Sequence, residues 1–319
     1  MTWQAQLAEG FGSSAELLTY LGLDPGQASA HAEQLFATRV PRHFASLMTP
    51  SFEDPLLRQV WAQGHELSSP AGYSDDPLQE QTASAPGVLH KYASRVLIIL
   101  RGGCAVNCRY CFRRAFPYAS LTFTRRDQQQ ALDYLLAHPE VNEVILSGGD
   151  PLMADDDSLA DLVQALAEIP HLRRVRVHSR LPVVIPDRLT PKLLTALTQT
   201  RLRPVLSLHS NHANEISPAL MQRVRPFVAQ MPVLNQAVLL KGVNDSAQAL
   251  VQLSEALFDA GVTPYYLFLL DRVRGASHFE VDETQARALY QQAQGLLPGF
   301  LLPRLAREIP DQPSKTLVL

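Results

Sequence analysis

From residue 95 onward the chain repeats one pattern: a short apolar run, a polar turn, then a stretch of helical period. Six runs are strand-sized: "RVLIILR" (95–101), "VNEVILSGG" (141–149), "RRVRVHS" (173–179), "RPVLSLH" (203–209), "VLNQAVLL" (233–240) and "TPYYLFLLD" (263–271). Helical patterns separate them, among them "RDQQQALDYLLAH", "DSLADLVQALAEI", "TPKLLTALTQ", "PALMQRVRPFVAQ" and "AQALVQLSEALFDA", and "ETQARALYQQAQGL" follows the last. Near-continuous apolar strands alternating with helices predict parallel βα units whose sheet is covered by helices. The expected class is α/β, a partial or full β/α barrel, with a doubly wound open sheet as the alternative. In "DDSLADL", Asp157 or Ser158 is expected to cap the following helix. In either fold the chemistry belongs at the C-terminal ends of the strands. The polar and glycine residues gather there, as "SGGD", "HSR", "HSNH", "KGVND" and "LLD".

Residues 1–88 differ. "SAELLTYLGL" and "ASAHAEQLFATRV" read as short helices, followed by "SFEDPLLRQVWAQG"; no run looks like a strand. "SSPAGYSDDPLQEQTASAPG" is rich in Pro, Gly and Ser and reads as an exposed connector. The expected organisation is a helical region and linker over 1–88, then a barrel unit over 89–319. With 46 % hydrophobic residues the chain can bury a sizeable core. A formal charge of -3 gives no global case for a nucleic-acid or membrane partner. The start, "MTWQAQLAEG", lacks the basic and apolar regions of a signal peptide. No apolar run approaches the roughly 18 residues of a membrane span. A cytoplasmic protein is expected.

All three cysteines lie in "RGGCAVNCRYCFRR" (101–114), as Cys104, Cys108 and Cys111. Three thiolates can hold three irons of a [4Fe–4S] cube and leave the fourth iron for an exchangeable ligand. Zinc is the competing reading, and His90 or His178 could complete its usual four ligands. Buried free cysteines fit badly beside Gly102, Gly103 and several arginines.

The spacing C-x3-C-x-aromatic-C after a first strand resembles the radical S-adenosylmethionine (SAM) enzymes. That resemblance implies SAM on the fourth iron, cleaved to a 5′-deoxyadenosyl radical, with Ser147, Gly148, Gly149 and Asp150 near the SAM amino group. Over most of 88–319, "HKYASRVLI", "CRYCFRR", "ILSGGDPL", "SRLPVVIPDRLTP", "LNQAVLLKGVND", "PYYLFLLD" and "SKTLV" together resemble the lysine 2,3-aminomutases. That family adds pyridoxal 5′-phosphate (PLP), which needs a lysine to carry it. The chain has four lysines, Lys91, Lys192, Lys241 and Lys315. Lys192 reads as a surface residue, Lys241 lies nearer the mouth, and Lys315 falls where the family carries PLP. The resemblance assigns Lys91, Tyr92, Arg95 and Arg180 to PLP and its phosphate, with Lys91 standing where the family has arginine. It places His209, Asn211 and Gln236 at SAM-contacting positions. It gives Arg113 the substrate carboxylate, and Asp271 and Glu308 the far ammonium; Glu308 replaces a family aspartate.

The fold implied is a partial (β/α)6 radical-SAM barrel with an N-terminal helical extension. The activity implied is conversion of L-α-lysine to (R)-β-lysine, with a flavodoxin or ferredoxin-type reductant. The short length resembles the EpmB-type branch, which works with an elongation factor P lysyl ligase. Ser246 stands where longer members have a zinc-binding cysteine, and no structural zinc is expected. The rival expectations are a radical SAM enzyme acting on another amino acid or without PLP, a non-catalytic iron–sulfur regulator, and a zinc-binding structural protein.

Overall fold

The computed structural model describes residues 1–81, 84–116 and 123–318. One nine-stranded sheet organises the chain: β1 (Val88–Tyr92), β2 (Arg95–Arg101), β3 (Glu143–Gly148), β4 (Arg174–Ser179), β5 (Arg203–His209), β6 (Val233–Val238), β7 (Thr263–Phe268), β8 (Arg304–Arg307) and β9 (Thr316–Leu317). Spatial order equals sequence order. Every neighbouring pair from β2 to β8 is parallel, while β1 and β9 run antiparallel on the two edges. A doubly wound sheet reverses its strand order at a switch point. This order never reverses, so successive crossovers wind one way and the sheet curls as an open, partial barrel.

All six expected strands are present; β2 and β5 keep the expected bounds, β4 starts one residue later, and β3, β6 and β7 end earlier, where the chain turns into the mouth. Three strands carry no sequence signal: β1, whose "VLHKY" overlaps the "HKYASRVLI" motif, the four-residue β8, and the two-residue β9. Each is too short to show a period, and each is fixed by its pairing partner.

The helices follow their periodicity: α6 (Arg125–Leu136), α7 (Asp156–Ala167), α9 (Pro191–Thr198), α10 (Pro218–Val228), α11 (Ala247–Asp259) and α12 (Glu283–Leu296), with a short α8 (Leu181–Val184) after β4. The cap of α7 corrects the sequence expectation. Asp155, not Asp157 or Ser158, accepts from the Ser158 N–H at 2.8 Å. Asp156 is then free to bind Arg188 and Thr190, and Asp157 pairs with the exposed Lys192. Ser246, one residue ahead of α11, is that helix's N-cap. Among the described residues no helix is long and apolar enough to cross a membrane.

Five short helices, α1 (Trp3–Ala8), α2 (Ser14–Tyr20), α3 (Ala30–Leu35), α4 (Arg42–Ser46) and α5 (Pro55–Arg58), precede the sheet. Their apolar faces join the barrel's own core: Leu17, Leu18, Phe44 and Leu56 belong to one cluster with Val96, Ile98 and Leu146. They also carry the cysteine loop. Asn107 N–H donates to Arg39 O, Asn107 Nδ2 to Ala37 O, and Arg39 Nη1 to Cys104 O. Glu66, fully buried, receives Arg109 Nε at 2.9 Å and Nη2 at 2.6 Å, and Arg114 Nη2 at 2.8 Å. Removing one member of such a buried charge cluster strands the others. Glu66→Ala is therefore expected to lower stability by about 3–5 kcal/mol, read as a fall in the denaturation midpoint.

The connector is only partly exposed, contrary to its composition. Leu78 and Glu80 are 4 % and 5 % exposed. Ser74 exchanges backbone hydrogen bonds with Arg272 and Arg274 beyond β7, so this segment straps across the barrel mouth. Residues 82 and 83 of the connector lie outside the described residues.

Candidate active site

The C-terminal ends of the parallel strands open onto a cavity of about 580 Å³. Every site residue expected from the sequence lines it except Asn211. The cavity has a thiol end and an ion-paired end.

At the thiol end, Cys104, Cys108 and Cys111 are all free and partly exposed. Burial pushes the Cys104 thiol up and Cys111 to about 11, helped by the neighbouring cysteines. Left as thiols, Cys104 and Cys111 would hold their protons; a bound cation inverts that preference. Among the described residues, no group of three or more His, Cys, Asp or Glu side chains is placed to hold a single metal ion. Three separate sulfur donors on one cavity wall suit the several irons of a cluster.

β3 ends against this loop. Gly148 has φ +123°, and a Cβ there would lie 2.6 Å from Arg101 O. A Cβ on Gly149 would lie 2.5 Å from Gly103 O. Only glycine lets the strand end approach the cysteine loop so closely, and Gly149 N–H and Asp150 N–H donate to Arg101 O and Gly103 O. Asp150 itself faces inward. Its carboxylate accepts from Leu152 N, Ser179 Oγ, Arg180 N and Leu181 N, each within 3.0 Å. Burial raises its pKa against these bonds. The carboxylate is thus committed to shaping the turn after β4, and the Ser147–Gly149 segment presents itself to the cavity.

Two further residues of the expected site are bound up with the thiol end. Arg180, which the resemblance assigns to the PLP phosphate, lines the cavity. Its guanidinium donates to Cys108 Sγ (2.7 Å), Tyr110 Oη (2.5 Å), Gln59 Oε1 (2.7 Å) and Glu215 Oε2 (3.1 Å). Both terminal nitrogens serve the thiol end, and despite burial its cation is strengthened by Cys108, Tyr110 and Glu215. Asn211, expected beside SAM, is fully buried beneath the wall: Nδ2 donates to Gln59 and Tyr110, and Oδ1 accepts from Val238 N–H. Neither position's orientation was visible in a strand-end motif.

His209 does face the cavity, with Nε2 at 2.8 Å from Tyr110 Oη. Burial and Arg180 lower it to about 3, so its imidazole is neutral. Gln236 is its register partner on β6. Gln236 Nε2, His178 Nε2 and Ser207 Oγ are buried on this wall without a partner. Orphaned polar atoms on three adjacent strands are what a polar ligand would satisfy. His178 is also held neutral by burial and nearby Arg176, Lys315 and Arg113.

The ion-paired end gathers the remaining residues. Lys315 Nζ donates to Glu308 Oε2 at 2.6 Å and lies 4.7 Å from the Phe268 ring centre. Lys91 Nζ donates to Glu308 Oε1 at 3.1 Å and pairs with Glu80 at 2.9 Å. Glu80 also accepts from Arg113 Nε at 2.5 Å. Arg113 Nη1 donates to Ser147 Oγ and Gly148 O. Arg95 lies over the Tyr92 ring at 4.2 Å. Burial raises the Tyr92 hydroxyl, with Glu308 adding to it. Lys241 is exposed and outside the cavity. The lysine, the cations Lys91 and Arg95, and the orphaned wall fit a phosphate-bearing aldehyde cofactor such as PLP.

Asp271 and Glu308 share this end unequally. Burial would raise Glu308, but Lys315 and Lys91 outweigh it and hold it at about 2. Burial, then Glu308, pushes Asp271 up to about 7. An ammonium ligand there favours the ionised carboxylate, so below pH 7 its binding must expel a proton. The affinity of a diamino acid is therefore expected to improve up to about tenfold per pH unit as pH rises to 7, then level off. Asp271→Asn is expected to bind more weakly at pH 8 and without this slope; calorimetric titrations at several pH values check both.

Sequence reasoning missed Gln59, Glu66, Glu80 and Glu215, which hold the site's cations. Only Glu80 had a local signal, the Asp-Pro turn chemistry of "DDPLQE".

Known proteins resemble this chain throughout. The family model "Radical SAM superfamily" matches residues 98–226. A protein of Escherichia coli named L-lysine 2,3-aminomutase is 49 % identical over 98 % of this chain and 93 % of its own length. One of the same name from Haemophilus influenzae is 48 % identical, over 99 % and 95 %. A third, from Clostridium subterminale, is 33 % identical over 99 % of this chain and 77 % of its own. Streptococcus suis SuiB bound to S-adenosylmethionine superposes with TM-score 0.51 over 69 % of this chain and 51 % of that one, at 13 % identity, a likeness of fold.

Proposed function

The chain belongs to the L-lysine 2,3-aminomutase family of the radical SAM superfamily, and we propose that it moves the amino group of L-lysine from C2 to C3, giving (R)-β-lysine. The observation that carries the reading is one cavity holding three free thiols at one end and Lys315, among paired opposite charges, at the other. The family's cofactors are a [4Fe–4S] cluster, SAM and PLP. When bound, they supply a carbon radical that removes a hydrogen atom and a conjugated carbonyl that carries the migrating nitrogen.

The protein's own groups divide the work by charge and place. Cys104, Cys108 and Cys111 hold the cluster, and Arg180 steadies the Cys108 sulfur. Ser147–Gly149, His209 and Gln236 bound the space beside it for SAM. Lys315 carries PLP, with Lys91, Tyr92 and Arg95 at its phosphate side. Arg113 binds the substrate carboxylate, a role suited to a guanidinium. Asp271 and Glu308 receive the far ammonium. With PLP held on Lys315, that side chain would be drawn toward the cofactor and away from Glu308, which would leave this carboxylate for a substrate ammonium. That exchange favours a diamino acid over an acidic one, since a second carboxylate would meet Glu308 unpaired.

The resemblance to the short EpmB-type branch is the ground for proposing further that the β-lysine goes to an elongation factor P lysyl ligase, with a flavodoxin or ferredoxin-type electron donor, in the cytoplasm. Incubating the anaerobically reconstituted protein with SAM, reductant and a panel of amino acids, with chiral separation of products, tests the reading. (R)-β-Lysine from lysine alone is expected; turnover of a different amino acid in preference would overturn it.

A further inference from the structure

We infer that Glu80 is a positioning residue that fixes the separation between the two ends of the lysine-binding site; this rests on the reading of Arg113 and Glu308 as the carboxylate and ammonium anchors. The two anchors are joined by an unbroken chain of ion pairs. Arg113 Nε donates to Glu80 Oε2 at 2.5 Å, Glu80 Oε1 pairs with Lys91 Nζ at 2.9 Å, and Lys91 Nζ donates to Glu308 Oε1 at 3.1 Å. The inner pair presents a carboxylate to Arg113 and an ammonium to Glu308. Those are the charges of a lysine molecule in the order in which it would span the same anchors.

The chain holds Glu80 there deliberately. Asp76 Oδ1 accepts from Glu80 N–H at 2.9 Å and Asp76 Oδ2 from Gln81 N–H at 3.1 Å. Gln79 takes φ +53°, a left-handed conformation unfavourable for a non-glycine residue, and such strain persists where surrounding structure requires it. Leu78 anchors the turn in the apolar interior. Arg113 and Lys91 are long, flexible side chains, and ordering them costs entropy. With its charge held between them, Glu80 restrains both. Without that charge, Lys91 keeps Glu308 alone as a carboxylate partner among the described residues and competes there with the substrate ammonium.

The test compares Glu80→Gln and Glu80→Asp with the parent in full-length protein loaded with cluster and PLP. Iron and PLP contents equal to the parent's establish that each variant is assembled. Lysine and ornithine, one methylene shorter, are titrated by calorimetry without reductant, and KM and kcat are measured with it. Glu80→Gln is expected to weaken lysine binding and raise KM by roughly tenfold, the loss of about one charge-assisted hydrogen bond, with kcat changed far less. Its preference for lysine over ornithine is expected to fall, and Glu80→Asp to recover part of both. Arg113→Gln is run in parallel. If it weakens lysine but Glu80→Gln does not, or if Glu80→Gln binds lysine more tightly, the inference is overturned while the anchors stand. If neither variant weakens lysine, the anchor reading and the inference both fall.

Discussion

Lys315→Ala protein is expected to purify without the visible absorption of bound PLP and to isomerise lysine at a rate lower by about a thousandfold or more, the scale of losing a group through which the reaction passes. Of the chain's four lysines, Lys192 is an exposed partner of Asp157, Lys241 lies outside the cavity, and Lys91 is shared between Glu80 and Glu308. Lys315 pairs with Glu308 and lies near the rings of Phe268 and Tyr266. It immediately precedes the two-residue β9, which pairs with β8 through Ala306–Leu317 and Arg307–Thr316. The substitution leaves that pairing intact, so the fold should persist. Absorption spectra and cluster iron measured on the same preparation check this: PLP is lost and iron retained. A variant that keeps the parent's PLP absorption would remove Lys315 from its role.

Cys108→Ala is expected to abolish the brown cluster absorption and the low-temperature electron spin resonance of the reduced protein, with turnover again lower by more than about a thousandfold. The effect on the fold should be small, because Arg180 keeps Tyr110, Gln59 and Glu215 after losing the Cys108 sulfur. The pair of variants therefore separates the two ends of the cavity. Lys315→Ala keeps iron and loses PLP, and Cys108→Ala does the reverse.

Much of this was written locally in the sequence. Strands β2 to β7 carry their own apolar runs, and the cysteine spacing needs no distant information. The barrel's mouth was legible because polar residues collect at strand ends. What was hidden depends on partners far away in sequence. Glu80 has meaning only because Arg113 and Lys91 meet it, 33 residues on in one case. Gln59 matters because Arg180 and Asn211 converge on it across 121 and 152 residues. Asn211 shows the complementary case: a polar residue at a strand end can point to the cavity or beneath its wall, and residue type alone does not decide. The connector's composition likewise concealed that Leu78 and Glu80 are buried.

The most direct test of the central claim follows a carbon atom. L-Lysine labelled with 13C at C2 is incubated with the reduced, cofactor-loaded protein, and the products are examined by 13C nuclear magnetic resonance. The account predicts that the label moves from a nitrogen-bearing CH to a CH2 beside the carboxylate, as the amino group passes to C3. A label that stays on a nitrogen-bearing carbon, while SAM is consumed to 5′-deoxyadenosine, would contradict it.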